Sequence, residues 1–180
     1  MVNPSFKRGA LSIALVGIMA ATLECVKLAL ASIPNVEAVT LFTALFAYVL
    51  GPLGVAASVV FVCIEPIIWG FGTWIISYFI YWPLVAVIFM LLGRAKIKNL
   101  ILITAAAVIL TAFFGVLTSF VDIGLFSGNF DNFFYRFSIY YARGIGFYAT
   151  QIITNAVLFP LLFRVLCKNL KRALSTVRLG

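Results

Sequence analysis

Long apolar runs, separated by short polar or glycine-containing connections, dominate this chain. A helix needs about 20 residues to cross the hydrocarbon core of a bilayer, and most of the runs have that length. The run from residue 38 to residue 68 is too long for one crossing, and Gly51 and Pro52 interrupt it. Because proline is favoured in the first turn of a helix, Pro52 is expected to begin a new one. The pattern predicts six membrane-spanning helices, at residues 9–31, 37–50, 52–68, 75–92, 100–120 and 144–166.

The distribution of charge predicts how these helices are oriented. Lys and Arg are concentrated in the cytoplasmic segments of membrane proteins. Ten of the 13 basic residues lie before the first run, after the fourth run, or from the end of the sixth run onward. An even number of crossings brings these segments to one side, so both termini are predicted to be cytoplasmic. The clusters are Lys7 with Arg8, Arg94 with Lys96 and Lys98, and the tail with Arg164, Lys168, Lys171, Arg172 and Arg178, whereas the acids Glu24, Glu37, Glu65, Asp122 and Asp131 lie toward the external ends.

The composition assigns the chain to one class of protein. Of the 180 residues, 64% are apolar and 10% are charged, and the mean hydropathy is +1.18. No water-soluble core of this size needs so many apolar residues, so we expect an all-α, multi-pass protein of the cytoplasmic membrane. Six crossings use up the length, which indicates a single membrane domain over residues 1–180 in contact with the lipid bilayer. No nucleic-acid partner is expected.

The sequence offers few groups for catalysis. It contains no histidine, which excludes His-based zinc sites, Ser-His-Asp triads and imidazole general bases. It has no glycine-rich phosphate loop of the Walker type, so any ATP would be hydrolysed by other subunits. The acids lack the Asp-x-x-Asp spacing of metal-dependent lipid transferases. We therefore predict that the chain is not an enzyme and has no catalytic residue, metal site or cofactor.

A polar turn, Ile33-Pro34-Asn35-Val36-Glu37, follows the first run. Pro34 fixes one backbone torsion and biases Ile33 away from helix. Asn35 is expected to cap the next helix, and Glu37 to occupy its first turn, where the helix dipole favours a carboxylate. An ordinary capped turn explains this pattern. The alternative is that Asn35 and Glu37 face a cavity and hydrogen-bond a polar ligand.

Aromatic residues are concentrated in two further external segments. The segment from Glu65 to Trp74 alternates glycine with aromatic residues and is predicted to be a mobile loop. The second segment, residues 121–143, has more aromatic residues than an interfacial belt requires. Its apolar residues recur at helical intervals, so we expect a short amphipathic helix over the outer mouth, as a lid or a wall. The aromatic residues are Phe130, Phe133, Phe134, Tyr135, Phe137, Tyr140 and Tyr141.

The first run carries small residues four apart, at Ala10 and Ala14 and again at Gly17 and Ala21. Such small-xxx-small patterns let helix backbones approach each other closely in lipid. Packing within this chain and packing against another protein are both compatible with the pattern.

A longer pattern extends from the polar turn through Val39-Thr40 and an apolar run to Gly51-Pro52-Leu53-Gly54. This pattern is similar to S-components of energy-coupling factor (ECF) transporters that are assigned to cobalamin or related vitamins. The whole chain also resembles S-components in its length, six helices, cytoplasmic termini, basic tail and polar outer loops. S-components typically carry an Ala-xxx-Ala pattern on the first helix, which Ala10 and Ala14 match best.

The resemblance implies a substrate-binding membrane subunit that carries out no chemistry of its own. It would capture a vitamin or related micronutrient, preferably cobalamin-like, from outside and deliver it by rotating in the membrane beside a T-component and two ATPase subunits. The small residues Ala10, Ala14, Gly17 and Ala21 would contact the T-component. The residues expected to hold the ligand are Asn35, Glu37, Trp69, Trp74, Tyr135 and Tyr140, with Glu65 and Tyr78 behind them.

Two other classes of membrane protein share some of these features. A small scaffold of the MreD type, from the rod-shape machinery, has a similar size and helix count but binds proteins rather than a small molecule. Such a scaffold has little need for polar turns and long aromatic loops on the outer side. A stand-alone secondary carrier would need coupling charges in mid-membrane, and only Glu24 and Lys27 approach that description.

Overall fold

The chain forms a bundle of helices in a computed structural model, which describes residues 4–126 and 132–178. Within these two ranges the structure contains no strand. The helices are α1 (Pro4–Leu30), α2 (Val39–Leu50), α3 (Pro52–Trp69), α4 (Trp74–Arg94), α5 (Leu100–Val121, followed by a π-helical turn at Asp122–Phe126) and α6 (Phe133–Arg178).

Five of the described helices are long and apolar enough to cross a membrane. The sixth, α2, has 12 residues, and at 1.5 Å per residue it is about 18 Å long, well short of the hydrocarbon core of about 30 Å. The chain thus has the architecture of an all-α, multi-pass membrane protein, as predicted. The candidate spans are Gly9–Leu30, Pro52–Trp69, Trp74–Arg94, Leu100–Leu125 and Phe133–Thr176.

The predicted helix positions agree closely with the structure through α5 and differ at α6. Gly51 turns the chain with a backbone φ of +60°, and Pro52 is the first residue of α3, as expected. α6 runs without interruption for 46 residues, which corresponds to about 69 Å. The prediction of a separate amphipathic helix over the outer mouth is therefore wrong, because residues 133–143 are the first three turns of α6. Phe130 and Asp131 lie outside the described residues.

α2 is the central helix of the bundle. It packs against all five other helices, and eight of its residues are buried. Its C-terminal end is packed closely against α3 and α4. A Cβ atom added at Gly54 would lie 2.4 Å from the backbone nitrogen of Ala47, and one added at Gly93 would lie 2.3 Å from the carbonyl oxygen of Tyr48. Only glycine allows backbones to approach this closely.

The N-terminal end of α2 is packed differently, because the helix begins halfway up its neighbours. Asn155 of α6 joins Glu37, just before α2, to Thr111 at the middle of the 22-residue helix α5. α5 continues beyond this level to Val121, which adds about 15 Å. The surrounding helices therefore enclose space above the start of α2.

The acids of the described chain lie toward one end of the bundle and most of the basic residues toward the other, although Lys27, Arg136 and Arg143 lie with the acids. At what we call the acidic end, α1, α3 and α5 finish and α4 begins, and the start of α2 faces this end from inside the bundle. At the basic end, α2, α4 and α6 finish and α3 and α5 begin. The acidic end carries Glu24, Glu37, Glu65 and Asp122, and the basic end carries Arg94, Lys96, Lys98, Arg164, Lys168, Lys171 and Arg172.

Candidate functional site

Two adjoining cavities lie at the acidic end. The outer one, which we call the vestibule, has a volume of about 270 Å³ and is bounded by the end of α1, the loop after it and Trp69 of α3. The inner one, the chamber, has a volume of about 70 Å³ and lies between α2, α4, α5 and α6. Lys27, Glu37, Tyr78 and Gln151 line both cavities. The vestibule therefore leads into the chamber through this shared set of residues.

Glu37 is held in place by three hydrogen bonds. Its carboxylate accepts from the backbone N–H of Thr40 at 2.9 Å, from the Thr40 hydroxyl at 2.7 Å, and from the side-chain amide of Asn155 at 2.6 Å. The Thr40 N–H is one of the donors that the first turn of a helix leaves free, so Glu37 caps α2 from just outside it. A carboxylate on these donors also interacts favourably with the positive end of the helix dipole.

Asn35 does not have the capping role predicted for it. The residue before α2 is Ala38, which makes no side-chain capping bond. Asn35 instead adopts a left-handed backbone conformation with φ of +61° and lines the vestibule. The predictions that Asn35 caps α2 and that Glu37 lies in its first turn are both wrong. The alternative, in which both residues face a cavity, agrees with their positions.

Asn155 connects Glu37 to the rest of the polar interior. It is completely buried, and its amide group also donates to the Thr111 hydroxyl at 3.1 Å and to the Gln151 carbonyl oxygen at 3.2 Å. One helical turn away, Gln151 lines both cavities. This network positions Glu37 between α2, α5 and α6.

Two polar atoms at the chamber lack a hydrogen-bond partner among the described residues. They are the side-chain oxygen Oε1 of Gln151, an acceptor, and the indole nitrogen Nε1 of Trp82, a donor. Buried polar groups in folded proteins nearly always have a partner. A molecule in the chamber that offers both a donor and an acceptor would satisfy both atoms.

Lys27 lies among aromatic rings where the vestibule meets the chamber. Its ammonium group forms an ion pair with Glu65, which is completely buried in α3. The ammonium lies 4.7 Å from the ring centroid of Trp69, 5.1 Å from that of Tyr78 and 5.8 Å from that of Trp74. Rings at these distances stabilise a cation through their quadrupoles.

The mobile loop predicted from Glu65 to Trp74 is wrong for its first half. α3 continues to Trp69, where Gly70 ends it with a φ of +81°, and only residues 70–73 connect α3 to α4. Glu65 is therefore an interior residue and not a loop residue. Its ion-pair partner is Lys27 of α1.

Two buried carboxyl groups lie near Lys27. Glu24, one turn before Lys27, is only 6% exposed, and it interacts electrostatically with both Glu65 and Lys27. Both carboxylate oxygens of Glu24 and one of Glu65 have no hydrogen-bond partner within the described ranges. Two carboxyl groups thus lie beside one ammonium, and their buried oxygens favour a further hydrogen-bond donor.

Aromatic side chains form one wall of the chamber. Tyr78, Tyr81 and Trp82 lie on one face of α4, and Phe114 faces them from α5. Tyr81 and Phe114 have ring centroids 4.7 Å apart, and Tyr78 and Trp82 meet edge to face at 5.7 Å. Such a wall presents flat apolar surfaces against which a planar ring can pack.

The structure brings most of the predicted ligand residues together. Asn35, Glu37, Trp69 and Tyr78 line the cavities, and Glu65 and Trp74 contact Lys27. Tyr135 and Tyr140 do not join them. Tyr135 is 70% exposed, and the hydroxyl of Tyr140 donates to Asp122 on the outer part of the α5–α6 pair. Neither tyrosine is among the described residues that line the vestibule or the chamber.

Several site residues were not predicted from the sequence. Gln151 and Asn155 lie four apart in the last apolar run, and polar side chains inside such a run are usually functional. That signal could have identified Gln151 and Asn155. The polar Thr111 inside the fifth apolar run could have been identified in the same way. The unpredicted residues are Thr40, Tyr81, Trp82, Thr111, Phe114, Gln151 and Asn155.

The small residues of the first run lie on the outer surface of the bundle. Ala10, Ala14, Gly17 and Ala21 are all exposed on one face of α1. A Cβ atom added at Gly17 would meet no described atom within 4 Å. The described part of the chain therefore does not use this face for its own packing, and lipid or another protein covers it.

No protein-family model, curated protein or solved structure matches this chain. Its function has to be inferred from the site itself.

Proposed function

We propose that this chain is a solute-binding membrane protein of the S-component kind, which captures a vitamin or related micronutrient outside the cell. The observation that carries the proposal is the path from the vestibule to the chamber, where Gln151 and Trp82 present unpartnered polar atoms. A site for a polar solute in a membrane has to be shielded from lipid and to offer hydrogen-bonding groups. These two cavities meet both requirements.

The chemistry of the lining favours a particular kind of solute. Among the lining residues, Glu37 is a carboxylate and Gln151 has a side-chain oxygen without a partner among the described residues, so a solute with hydrogen-bond donors is favoured. The aromatic wall favours a planar ring. Pockets for small molecules usually measure about 300–1,000 Å³, and the two cavities together lie at the lower end of that range. A compact ring system therefore fits better than a macrocycle, and the preference for a cobalamin-like ligand stays a prediction.

The proposal includes six crossings, with both termini in the cytoplasm and the acidic end outside. Its support is the concentration of Lys and Arg at the basic end, which is typical of cytoplasmic segments. The short α2 is compatible with a crossing, because other helices surround it and the bilayer thickness does not set its length.

Energy for uptake would come from partner subunits, a T-component and two ATPases. The support for such a partner is the exposed small-residue face of α1, with Ala10, Ala14, Gly17 and Ala21. Close approach of helix backbones at small residues stabilises helix association in lipid. That the chain is not an enzyme and binds no cofactor or metal stays a prediction.

The test is to identify whatever small molecule remains bound after gentle purification. Solvent extraction and mass spectrometry of the wild-type protein are expected to give one compound in near-equal amount to the protein. Glu37→Gln and Gln151→Leu are expected to reduce this amount strongly. Glu37→Gln replaces an acceptor of three hydrogen bonds by an amide whose NH₂ group faces other donors.

Asp122→Asn is the matched control. Asp122 is also an acid at the acidic end, but it accepts a hydrogen bond from Tyr140 away from the cavities. The control should retain the compound as the wild type does. A wild-type protein that carries no small molecule and is not thermally stabilised by any vitamin would contradict the proposal and favour the MreD-type scaffold.

A further inference from the structure

A third cavity, which we call the basic pocket, lies at the basic end. Its volume is about 490 Å³. It is enclosed by α2, the α4–α5 connection, the start of α5 and the last third of α6. The lining residues are Tyr48, Lys98, Ile103, Phe163, Arg164, Cys167, Lys168 and Lys171.

The basic pocket gathers four cations without a counter-ion. None of the described lining residues is acidic. The sequence has no acid between Glu65 and Asp122 and none after Asp131. α4, α5 and α6 therefore cannot supply a carboxylate at this end, and neither can α2, since Glu37 lies before its opposite end. An anion from outside the chain would be strongly attracted to this pocket.

The cations converge because of helical spacing and specific contacts. Arg164, Lys168 and Lys171 are four and three residues apart, which places them on one face of α6. The Arg164 guanidinium donates to the backbone carbonyl of Lys98 at 3.3 Å. The Lys171 ammonium lies 5.9 Å from the ring centroid of Tyr48. The cations therefore reach the cavity from two elements, the α4–α5 connection and α6.

The floor of the basic pocket is apolar, and the pocket lies near the start of a candidate membrane span. Ile103, Phe163 and Cys167 are buried side chains beneath the cations. Lys98 comes just before α5, which is itself a candidate membrane span, so the pocket lies at a membrane boundary. On the outer surface beside it, Ile101 is 78% exposed and Leu102 is 54% exposed. A lipid can place its head among the cations and its chains along this surface.

We propose that the basic pocket binds the phosphate-bearing headgroup of an anionic membrane lipid. Cationic pockets between membrane helices on the cytoplasmic side are suited to such headgroups. The usual excess of Lys and Arg in cytoplasmic segments explains the number of cations, but not a cavity that collects them above an apolar floor. A free phosphate would use the same cations and leave the apolar floor uncovered. This site is independent of the solute site at the acidic end.

The first test uses the wild-type protein alone. Nanodiscs are prepared with equal amounts of phosphatidylglycerol and phosphatidylcholine, and the lipids retained after release are identified by native mass spectrometry. Phosphatidylglycerol is expected to be retained preferentially. Equal retention of the two lipids would overturn the proposal, and this outcome does not depend on the folding of any variant.

The second test compares two double variants with the same loss of charge. Lys168→Gln with Lys171→Gln removes two pocket cations, whereas Arg94→Gln with Arg172→Gln removes two exposed cations outside the pocket. Affinity for short-chain phosphatidylglycerol is measured by thermal stabilisation. At about 1 kcal/mol for each cation, the pocket variant should bind about 30-fold more weakly, and the control should stay near the wild type.

Further arms of the experiment distinguish the sources of the anion. Inorganic phosphate and glycerol phosphate are tested at the same concentrations as the lipid, and both are expected to stabilise the protein much less. Stabilisation by either that equals the effect of the lipid would assign the site to a soluble phosphate and overturn the lipid proposal. Equal losses in the two double variants would also overturn it, and would favour a diffuse cationic surface for an acidic partner protein.

Discussion

The acidic and basic ends of this bundle are packed in opposite ways around the same central helix. At its start, α2 leaves space that is lined by Glu37, Thr40 and polar atoms without a partner in the described part of the chain. At its finish, α2 is packed so closely that Gly54 and Gly93 have no room for a side chain. The comparison teaches that a short central helix can create a polar site and a rigid support within one small bundle.

The two ends also differ in how they hold charge. At the acidic end, buried carboxylates depend on Lys27 and on a few hydrogen bonds, so each bond matters for stability. At the basic end, most cations are exposed and keep their hydration, so their charge costs little stability. Substitutions should therefore change stability strongly and specifically at the acidic end, whereas at the basic end they should change stability mainly through packing.

Replacement of Lys27 should have the largest effect. Lys27→Met leaves the completely buried Glu65 without its ion-pair partner. Removal of one partner of a buried pair usually lowers the free energy of unfolding by about 3–5 kcal/mol. Chemical denaturation of the protein in detergent measures this change.

Two further variants make this result specific. Arg94→Met, which removes an exposed cation at the basic end, should leave the free energy of unfolding almost unchanged. Lys27→Met combined with Glu65→Gln should recover much of the loss, because no uncompensated charge then remains in the pair. A Lys27→Met protein as stable as the Arg94→Met protein would show that the pair is not essential to the acidic end.

The packing of the basic end predicts the next largest effect. Gly54→Ala would place a Cβ atom 2.4 Å from the Ala47 backbone nitrogen, and overpacking of this kind costs about 1–3 kcal/mol. Gly17→Ala on the outer face of α1 is the control, since a Cβ there meets no described atom within 4 Å. It should stabilise α1 slightly, because alanine is the better helix former. Thermal unfolding compares the two, and equal melting temperatures would argue against close packing at Gly54.

A smaller effect is expected for Thr111. Thr111→Val keeps the shape of the side chain but removes an acceptor for the Asn155 amide, at a cost of about 1 kcal/mol. Retention of the bound solute should also fall, because Asn155 positions Glu37. Thr150→Val is matched to it, since the Thr150 hydroxyl donates to the Gly146 carbonyl oxygen within its own helix. Retention that is equal in the two variants would disconnect Thr111 from the site.

The smallest effect concerns the aromatic rings around Lys27. Trp69→Leu removes a ring 4.7 Å from the ammonium, which should lower the free energy of unfolding by about 0.5–1 kcal/mol. Trp69→Phe keeps a ring and should lower it less. The denaturation midpoint should be highest for the wild type, lower for Trp69→Phe and lowest for Trp69→Leu. A higher midpoint for Trp69→Leu than for Trp69→Phe would contradict a contribution of the ring.

The sequence was sufficient to predict the helices up to α5. Hydrophobic runs and the Gly51-Pro52 turn are local signals, and the structure follows them. The first part of α6 was assigned to a separate helix, because aromatic and basic residues changed the composition there. Composition does not end a helix, however, and from Phe133 to Pro160 no proline interrupts the chain.

The candidate site was harder to predict, because it depends on which helix faces meet. Glu37 was identified from its turn, but its partners Asn155 and Thr111 are distant in sequence. Tyr135 and Tyr140 have the right chemistry and lie on the wrong part of α6, outside the cavities. Only packing in three dimensions decides between such residues.

The most direct test of an outward-facing solute site is to determine which side of the membrane each end of the bundle faces. Ile33→Cys in the vestibule and Arg94→Cys at the basic end are introduced separately, after Cys25, Cys63 and Cys167 have been replaced by alanine. Intact cells are then treated with a membrane-impermeant maleimide. The Ile33→Cys protein should be labelled from outside, and more slowly when solute is bound, whereas the Arg94→Cys protein should react only after permeabilisation. Labelling of the Ile33→Cys protein only after permeabilisation would contradict the account.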